Sequence, residues 1–310
     1  MAAELRFRAM GSDAHVIVHG DPLLADLARE EIARLEATWS RFRPDSEVST
    51  LNDRAGEWVE VSPDTQLLVE RSILAATVTD GRFDPTVLGD VVRAGYDRDF
   101  ALVSSGTGEP SSTQRHLHRG VDAIEVDAAR GAVRLAEGTG FDPGGIGKGL
   151  AADLVAIRLD GEGAAGALIN LGGDLRAVGY APDGDDWQVD LDPTASGRPL
   201  TTVILERGAV ATSTILRRTW IDRGKVRHHL IDPATGAPST TDIVAASVLA
   251  AHGWQAEVLA KAALLAGLEE GLALIERLGA DGVLVDARGG LHRSTSFERF
   301  ELEPTLEVTP

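Results

Sequence analysis

The 310-residue chain contains no cysteine. That removes disulfides, thiolate zinc sites and any cysteine that could carry a lipid anchor. Aromatic residues make up only 5%, which argues against a channel lined with rings for stacking. Positive charge is scarce as well: 48 acidic residues against 30 basic ones leave a net charge of −18. No nucleic acid partner is expected, because phosphate backbones need basic surfaces. No apolar run is long enough to cross a bilayer, so no membrane partner is expected either. The start, Met1-Ala2-Ala3-Glu4-Leu5-Arg6, has neither a basic n-region nor an apolar h-region, which points to a cytoplasmic protein. Familiar catalytic motifs are also missing: no Gly-x-Ser-x-Gly elbow, no His-Glu-x-x-His and no internal repeat.

What is present is apolar mass and one unusual glycine-rich stretch. Hydrophobic residues reach 43%, enough for a substantial core in one large domain or two closely joined ones. The stretch runs Phe141-Asp142-Pro143-Gly144-Gly145-Ile146-Gly147-Lys148-Gly149-Leu150-Ala151-Ala152-Asp153. Glycines let backbone approach a ligand closely, and a helix opening there would turn its amide groups and positive dipole end toward an anion. A nucleotide phosphate is the first candidate. A P-loop does not fit, since Asp142 stands where its first glycine belongs and Gly149 where its hydroxyl belongs. No Gly-x-Gly-x-x-Gly opens an early βαβ unit, which disfavours a dinucleotide fold. A glycine-rich helix entry that serves packing alone is the competing reading.

Periodicity supplies the elements. Leu5–Met10 and His15–Val18 read as paired strands. Pro22 to Trp39 carries Leu24, Leu27, Ile32 and Leu35 at helical spacing, and Pro63 to Thr79 reads as a second helix with Ser62 as N-cap. Ser104 to Thr113 is a polar loop rich in Gly, Ser and Pro. Strands are predicted at Ala123–Val126 and Val133–Leu135, and the glycine-rich loop opens a helix from about Gly145 to Leu159. Further strands follow at Ala167–Asn170, Arg176–Val178, Trp187–Leu191, Thr202–Leu205, Val210–Thr212 and Ile243–Ala250. Helices at Gln255–Leu265 and Glu269–Leu278 precede a closing strand at Gly282–Asp286. Strands and helices do not alternate regularly. The fold class is therefore α+β: mixed, mainly antiparallel sheets packed with helices, in two closely joined lobes. Residues 1–300 would form the functional domain and 301–310 a frayed acidic tail.

The glycine-rich stretch has company. Met10-Gly11-Ser12, Ser40-Arg41-Phe42-Arg43-Pro44-Asp45-Ser46-Glu47-Val48-Ser49 with Leu51-Asn52, and Gly81-Arg82-Phe83-Asp84-Pro85-Thr86-Val87 precede it. Asn170-Leu171-Gly172-Gly173-Asp174, Ala211-Thr212-Ser213, His228-His229-Leu230-Ile231-Asp232-Pro233-Ala234-Thr235-Gly236 and Ala256-Glu257 follow it. In this order the segments resemble those of the FAD:protein FMN transferase family, the ApbE-type flavin transferases. The resemblance spans residues from about 5 to 290.

It implies an enzyme that splits FAD and attaches FMN to a threonine or serine of an acceptor protein, releasing AMP, with Mg2+ at the pyrophosphate. Met10, Phe83, Asp84, Asp142, Gly144, Gly145, Lys148, Gly172, Gly173, Asp174, Thr212, Ser213 and His229 would then be the flavin-binding positions, with Phe83 packing on the ring system. Each has a plainer role available: Asp142 an Asx-turn, Phe83 to Thr86 a turn before a helix with Pro85 at its first position, Thr212 and Ser213 hydroxyls bonded to backbone. Lys148 in a first helical turn is unfavourable for a cation, and easier to understand beside a phosphate. His229 is the candidate phosphate donor or proton acceptor, and His228 should be exposed. Lys148 and His229 are the catalytic candidates.

The chain departs from its family in one place. There, a helix opening with Ala-Asp carries a threonine four residues on, and the two oxygens share magnesium with a loop carbonyl, here that of Gly145. Here the positions hold Glu257 and Lys261. Protonated lysine is no metal ligand, so either Glu257 alone holds a weakened metal or the Lys261 ammonium stands in for its charge. An ordinary Glu–Lys pair on one helical face is the plain reading. The competing functions are a non-catalytic flavin binder and a metal-dependent FAD pyrophosphatase.

Overall fold

The computed structural model describes residues 1–98, 100, 103, 116–194, 196–222 and 225–302. The polar loop from Ser104 to Thr113, and residues 303–310 of the expected tail, lie outside that set. The centre of the molecule is an eight-stranded sheet built from Ala2–Ala9, Ser12–His19, Gly166–Leu171, Asp174–Gly179, Gly208–Thr214, Ile243–Ala250, Asp281–Asp286 and Leu291–Arg293. Its strands lie side by side in chain order, and every neighbouring pair is antiparallel.

The first hairpin shows how the sequence sets the sheet. Ala9 pairs with Ser12 across a two-residue turn, and both turn residues are left-handed, Met10 at φ 49° and Gly11 at 65°. Such turns match the twist of the flanking strands. Glycine takes that conformation freely and methionine does not.

After Gly20 the chain leaves the sheet, and it returns at Ala165, whose amide donates to the His19 carbonyl at 2.8 Å. The excursion carries helices α1 (Leu23–Trp39), α2 (Glu47–Asp53), α3 (Pro63–Val78), α4 (Leu88–Arg93) and α5 (Gly147–Gly161). It also carries a three-stranded sheet made of Trp58–Glu60, Ile124–Asp127 and Ala132–Leu135. Helix α1 buries Ala25, Ala28, Ile32, Leu35 and Trp39, one stripe at three- and four-residue spacing. In α3, Ser62 caps the Thr65 amide and Pro63 opens the first turn. Two late helices, α6 (Gly253–Ala266) and α7 (Leu268–Arg277), complete the helical layer. The helical side of the sheet holds two hydrophobic clusters, one around α1, α3 and α5, the other around α6 and α7. The opposite face is covered by the hairpin Trp187–Leu191/Thr201–Leu205 and by Phe297.

Several boundaries move for local reasons. Helix α5 starts at Gly147, two residues later than predicted, because Gly145 has φ +102° and Ile146 has φ −148°. Pro85 opens no helix, since α4 begins at Leu88. Helix α2, capped by Ser46 on the Ser49 amide, and the hairpin Thr219–Asp222/Lys225–His228 were not anticipated. Glu301 and Leu302, at the head of the expected frayed tail, are tied down: Leu302 N donates to Thr202 O at 2.9 Å, and Glu301 bridges Val203. Among the described residues, no helix is long and apolar enough to cross a membrane.

Candidate active site

Helices α5 and α6 cross where both begin. A Cβ on Gly149 would stand 2.2 Å from the Gly253 carbonyl oxygen, and one on Gly253 2.4 Å from that of Gly149, so only glycine lets the backbones meet. At this crossing each helix caps the other. Asp153 of α5 accepts from the Gly253 and Trp254 amides of α6, at 2.8 and 3.0 Å. Glu257 of α6 accepts from the Gly149 amide of α5 at 2.8 Å. Amides that have no partner within their own helix are thereby satisfied by buried carboxylates. Arg176 Nε, 3.2 Å from Asp153, closes the buried arrangement.

A cleft of about 420 Å³ opens in front of this crossing, a size typical of small-ligand sites. Its floor is charged. The Lys148 ammonium bonds the Asp174 carboxylate and lies 3.7 Å from Glu257. Burial works against its charge, but Asp174 and Glu257 outweigh that and hold its pKa above the ordinary lysine value. Burial, with Asp174 next to it, pushes Glu257 up to about 7. Lys261 Nζ donates to the Gly144 carbonyl at 3.0 Å. Burial pulls its pKa down, opposed through space by Asp142, Glu257 and Asp84.

The rim is made of turns. Asp142 Oδ1 accepts from Gly144 N at 3.0 Å, an Asx-turn, and stands 3.5 Å from Arg41 Nε. Asn170 Oδ1 ties the Gly173 amide at 2.8 Å, and the Gly172–Gly173 turn packs on Ser12. Arg218, left-handed at φ 50° like Met10 opposite, donates to Ser12 Oγ at 3.0 Å. His229 stands edge-on to Tyr96, ring centroids 6.4 Å apart, and its enclosed Nδ1 has no hydrogen-bond partner. Burial, then the charges of Arg218 and Lys261, hold its pKa well below the ordinary histidine value. It is therefore neutral near pH 7 and keeps one ring nitrogen able to take a proton.

Of the positions singled out in the sequence, Met10, Asp142, Gly144, Gly145, Lys148, Gly172, Gly173, Asp174, Thr212, Ser213, His229, Glu257 and Lys261 line this cleft. Phe83 and Asp84 do not. Phe83 is fully buried behind the loop, its ring beneath the Lys261 ammonium. Asp84 folds back on its own turn, accepting from the amide and hydroxyl of Thr86 at 2.7 Å, and its other oxygen pairs with His118. Thr212 spends its hydroxyl on Ser247, 2.7 Å away. His228, expected to be exposed, is buried and donates through Nε2 to Ser239 O at 3.1 Å. The sequence reading missed Arg41, Tyr96, Asp153 and Arg218. The sparse aromatics are also not spread evenly: Phe42, Tyr96 and Phe100 pack against one another beside the cleft.

The expected magnesium set does not fit these residues. The carbonyl facing Lys261 is that of Gly144, and an ammonium already bonds it. Glu257 is engaged by the Gly149 amide and Lys148. Among the described residues, no three His, Asp or Glu side chains converge in a way that could hold a metal.

This arrangement of cleft, loop and sheet has relatives. The sequence model of the ApbE family matches residues 10–284. The chain belongs to the ApbE family. An FAD:protein FMN transferase of Treponema pallidum is 32% identical over 282 residues, covering 83% of this chain and 76% of that protein. One from Vibrio cholerae is 28% identical, covering 86% of this chain and 82% of that protein. Among solved structures, the ApbE protein of Thermotoga maritima superposes with a TM-score of 0.86 at 28% identity, over 98% of this chain and all of that one. The α+β architecture read from the sequence is thus an ApbE architecture.

Proposed function

We propose that this ApbE family member is an FAD:protein FMN transferase, moving FMN from FAD to a threonine or serine hydroxyl of an acceptor protein. The observation that carries the reading is the family match over the whole cleft-forming region, joined to a floor where Lys148 and Lys261 face a ligand-sized space. In the proposed reaction the acceptor oxygen bonds to the FMN-side phosphorus. The bond from that phosphorus to the bridging oxygen breaks, and AMP leaves with the bridging oxygen. His229, neutral and with one ring nitrogen unprotonated, takes the hydroxyl proton. Phosphoryl transfer depends mostly on positioning and charge stabilisation, which the lysines supply. No step is routed through a metal, because Gly144 O and Glu257 are already engaged by Lys261, Gly149 N and Lys148 and do not fit the expected magnesium set.

Incubation with FAD and a threonine-containing acceptor tests the reading. Covalently attached FMN with released AMP is the expected outcome. Free FMN with AMP would make the protein a pyrophosphatase, and intact bound FAD a flavin carrier.

A further inference from the structure

Lys261 is built into the cleft floor rather than resting on it. Its side chain rises from α6, is 7% exposed, and packs over the Phe83 ring with Nζ 5.3 Å from the centroid. The glycine-rich loop is shaped around it. A Cβ on Gly145 would meet the Lys261 Cδ at 2.7 Å, and φ of +102° at that residue already favours glycine. The ammonium holds the Gly144 carbonyl at 3.0 Å. One turn earlier, the Glu257 carboxylate is held by the Gly149 amide at 2.8 Å and faces Lys148 at 3.7 Å. Both of these oxygen groups, Gly144 O and the Glu257 carboxylate, are thus already bonded to N–H groups. A divalent ion at Gly144 would also meet a like charge at close range.

We propose that the Lys261 ammonium takes the place of a divalent cation beside the FAD pyrophosphate, so that this chain binds FAD without added metal. An ammonium has three N–H donors. One is used by Gly144, and two remain for phosphate oxygens. Lys148 supplies a second fixed cation from α5, so the two phosphate charges meet two lysines. The arriving diphosphate itself favours the charged form of a buried lysine.

The inference rests on the flavin transferase reading, and the test separates the two. FAD is titrated into the full chain with EDTA and again with millimolar magnesium, followed by flavin fluorescence. The expected result is the same Kd in both. In EDTA, Lys261→Met should weaken binding by about 10- to 100-fold, the usual cost of one charge-assisted contact. Lys261→Thr should make FAD binding magnesium-dependent, and Mn2+ alone, followed by electron paramagnetic resonance, should bind that variant and not the parent. A parent that binds FAD only with magnesium overturns the inference while leaving the transferase reading standing, and it does so even if neither variant folds. A Lys261→Met variant that binds as the parent does also overturns it. A parent that binds no FAD in either condition removes the flavin reading, and this inference with it.

Discussion

The two ends of the cleft are built on opposite principles. At the charged end, Lys148, Asp174, Glu257 and Lys261 are fixed by helix starts and buried hydrogen bonds, and the α5–α6 crossing leaves them little freedom. At the aromatic end, Arg41 stacks over Phe42 and Tyr96, 4.1 and 4.8 Å from their centroids, and Tyr96 packs on Trp220 at 6.1 Å. Hydrogen bonds from Arg41 to Tyr96 O and from Trp220 Nε1 to Ala94 O, each 2.9 Å, help anchor that group, and Arg41 Nε faces Asp142 at 3.5 Å. Rings can shift against one another at little cost, whereas buried charges cannot be left unpaired, and Arg41, paired with Asp142, joins the two ends. On the proposed function, the charged end would be preorganised for phosphate and the aromatic end would offer an adaptable wall to a flat ring.

The largest test of that contrast is Asp153→Ala. It removes the caps of α6 and strands Arg176 in a buried site, and should cost about 3–5 kcal/mol of stability. Thermal or urea unfolding measures it, and a loss under 1 kcal/mol would mean the crossing is not what holds the floor. His229→Ala, where the two ends meet, should lower FMN transfer by about 10²–10⁴ while FAD affinity changes little. Equal losses in rate and affinity would reduce His229 to a binding residue. Lys148→Ala, which leaves Asp174 and Glu257 facing the phosphates, should raise the Kd for FAD by about 10- to 100-fold, read by fluorescence titration. Unchanged affinity would place the pyrophosphate elsewhere.

The same floor should respond to pH. With its pKa at about 7, Glu257 gains negative charge as pH rises through 7, so FAD binding should weaken over that window and be flat in Glu257→Gln. Its folding linkage has the same sign. The folded state holds a proton that the unfolded carboxyl, at 4.5, has lost, so its contribution to stability declines as pH climbs from about 4.5 to 7. A titration in which the parent and Glu257→Gln run parallel would refute this. The smallest effect belongs to the aromatic end: Phe42→Ala, which removes the exposed ring under Arg41, should weaken FAD binding by about 0.5–1 kcal/mol, the scale of an exposed cation–π contact. A loss as large as that of Lys148→Ala would break the contrast.

Legibility in the sequence divides along the same line. The charged end was written in contiguous segments, so Asp142, Lys148, Asp174 and Glu257 could be named beforehand. Helices α1 and α3 were readable from Ile32 and Leu35 at helical spacing and from Ser62-Pro63. Tyr96 and Trp220 were invisible, because an average of 5% aromatics says nothing about rings far apart in sequence meeting in space. Arg41 stood inside a quoted segment, but its stacking depends on that long-range packing. Phe83 and Asp84 stand outside the cleft lining for reasons the sequence does not spell out: Phe83 is fully buried under Lys261, and Asp84 is held in its own turn by two hydrogen bonds from Thr86. Asp153 closed the glycine-rich stretch in plain view, yet its partners lie on a helix a hundred residues further on.

The return of the chain at Ala165 has a further consequence. The excursion that starts after Gly20 begins and ends on the paired strands Ser12–His19 and Gly166–Leu171, closing where Ala165 N donates to His19 O at 2.8 Å, so it is inserted as a cassette between neighbouring strands of the sheet. Arg41, Tyr96, Asp142 and Lys148 travel with the cassette, while Asp174, His229, Glu257 and Lys261 stay with the host sheet. Exchanging the cassette between two relatives would make a hybrid whose Lys148 and Phe42–Tyr96 stack come from one parent and whose His229 and Lys261 come from the other.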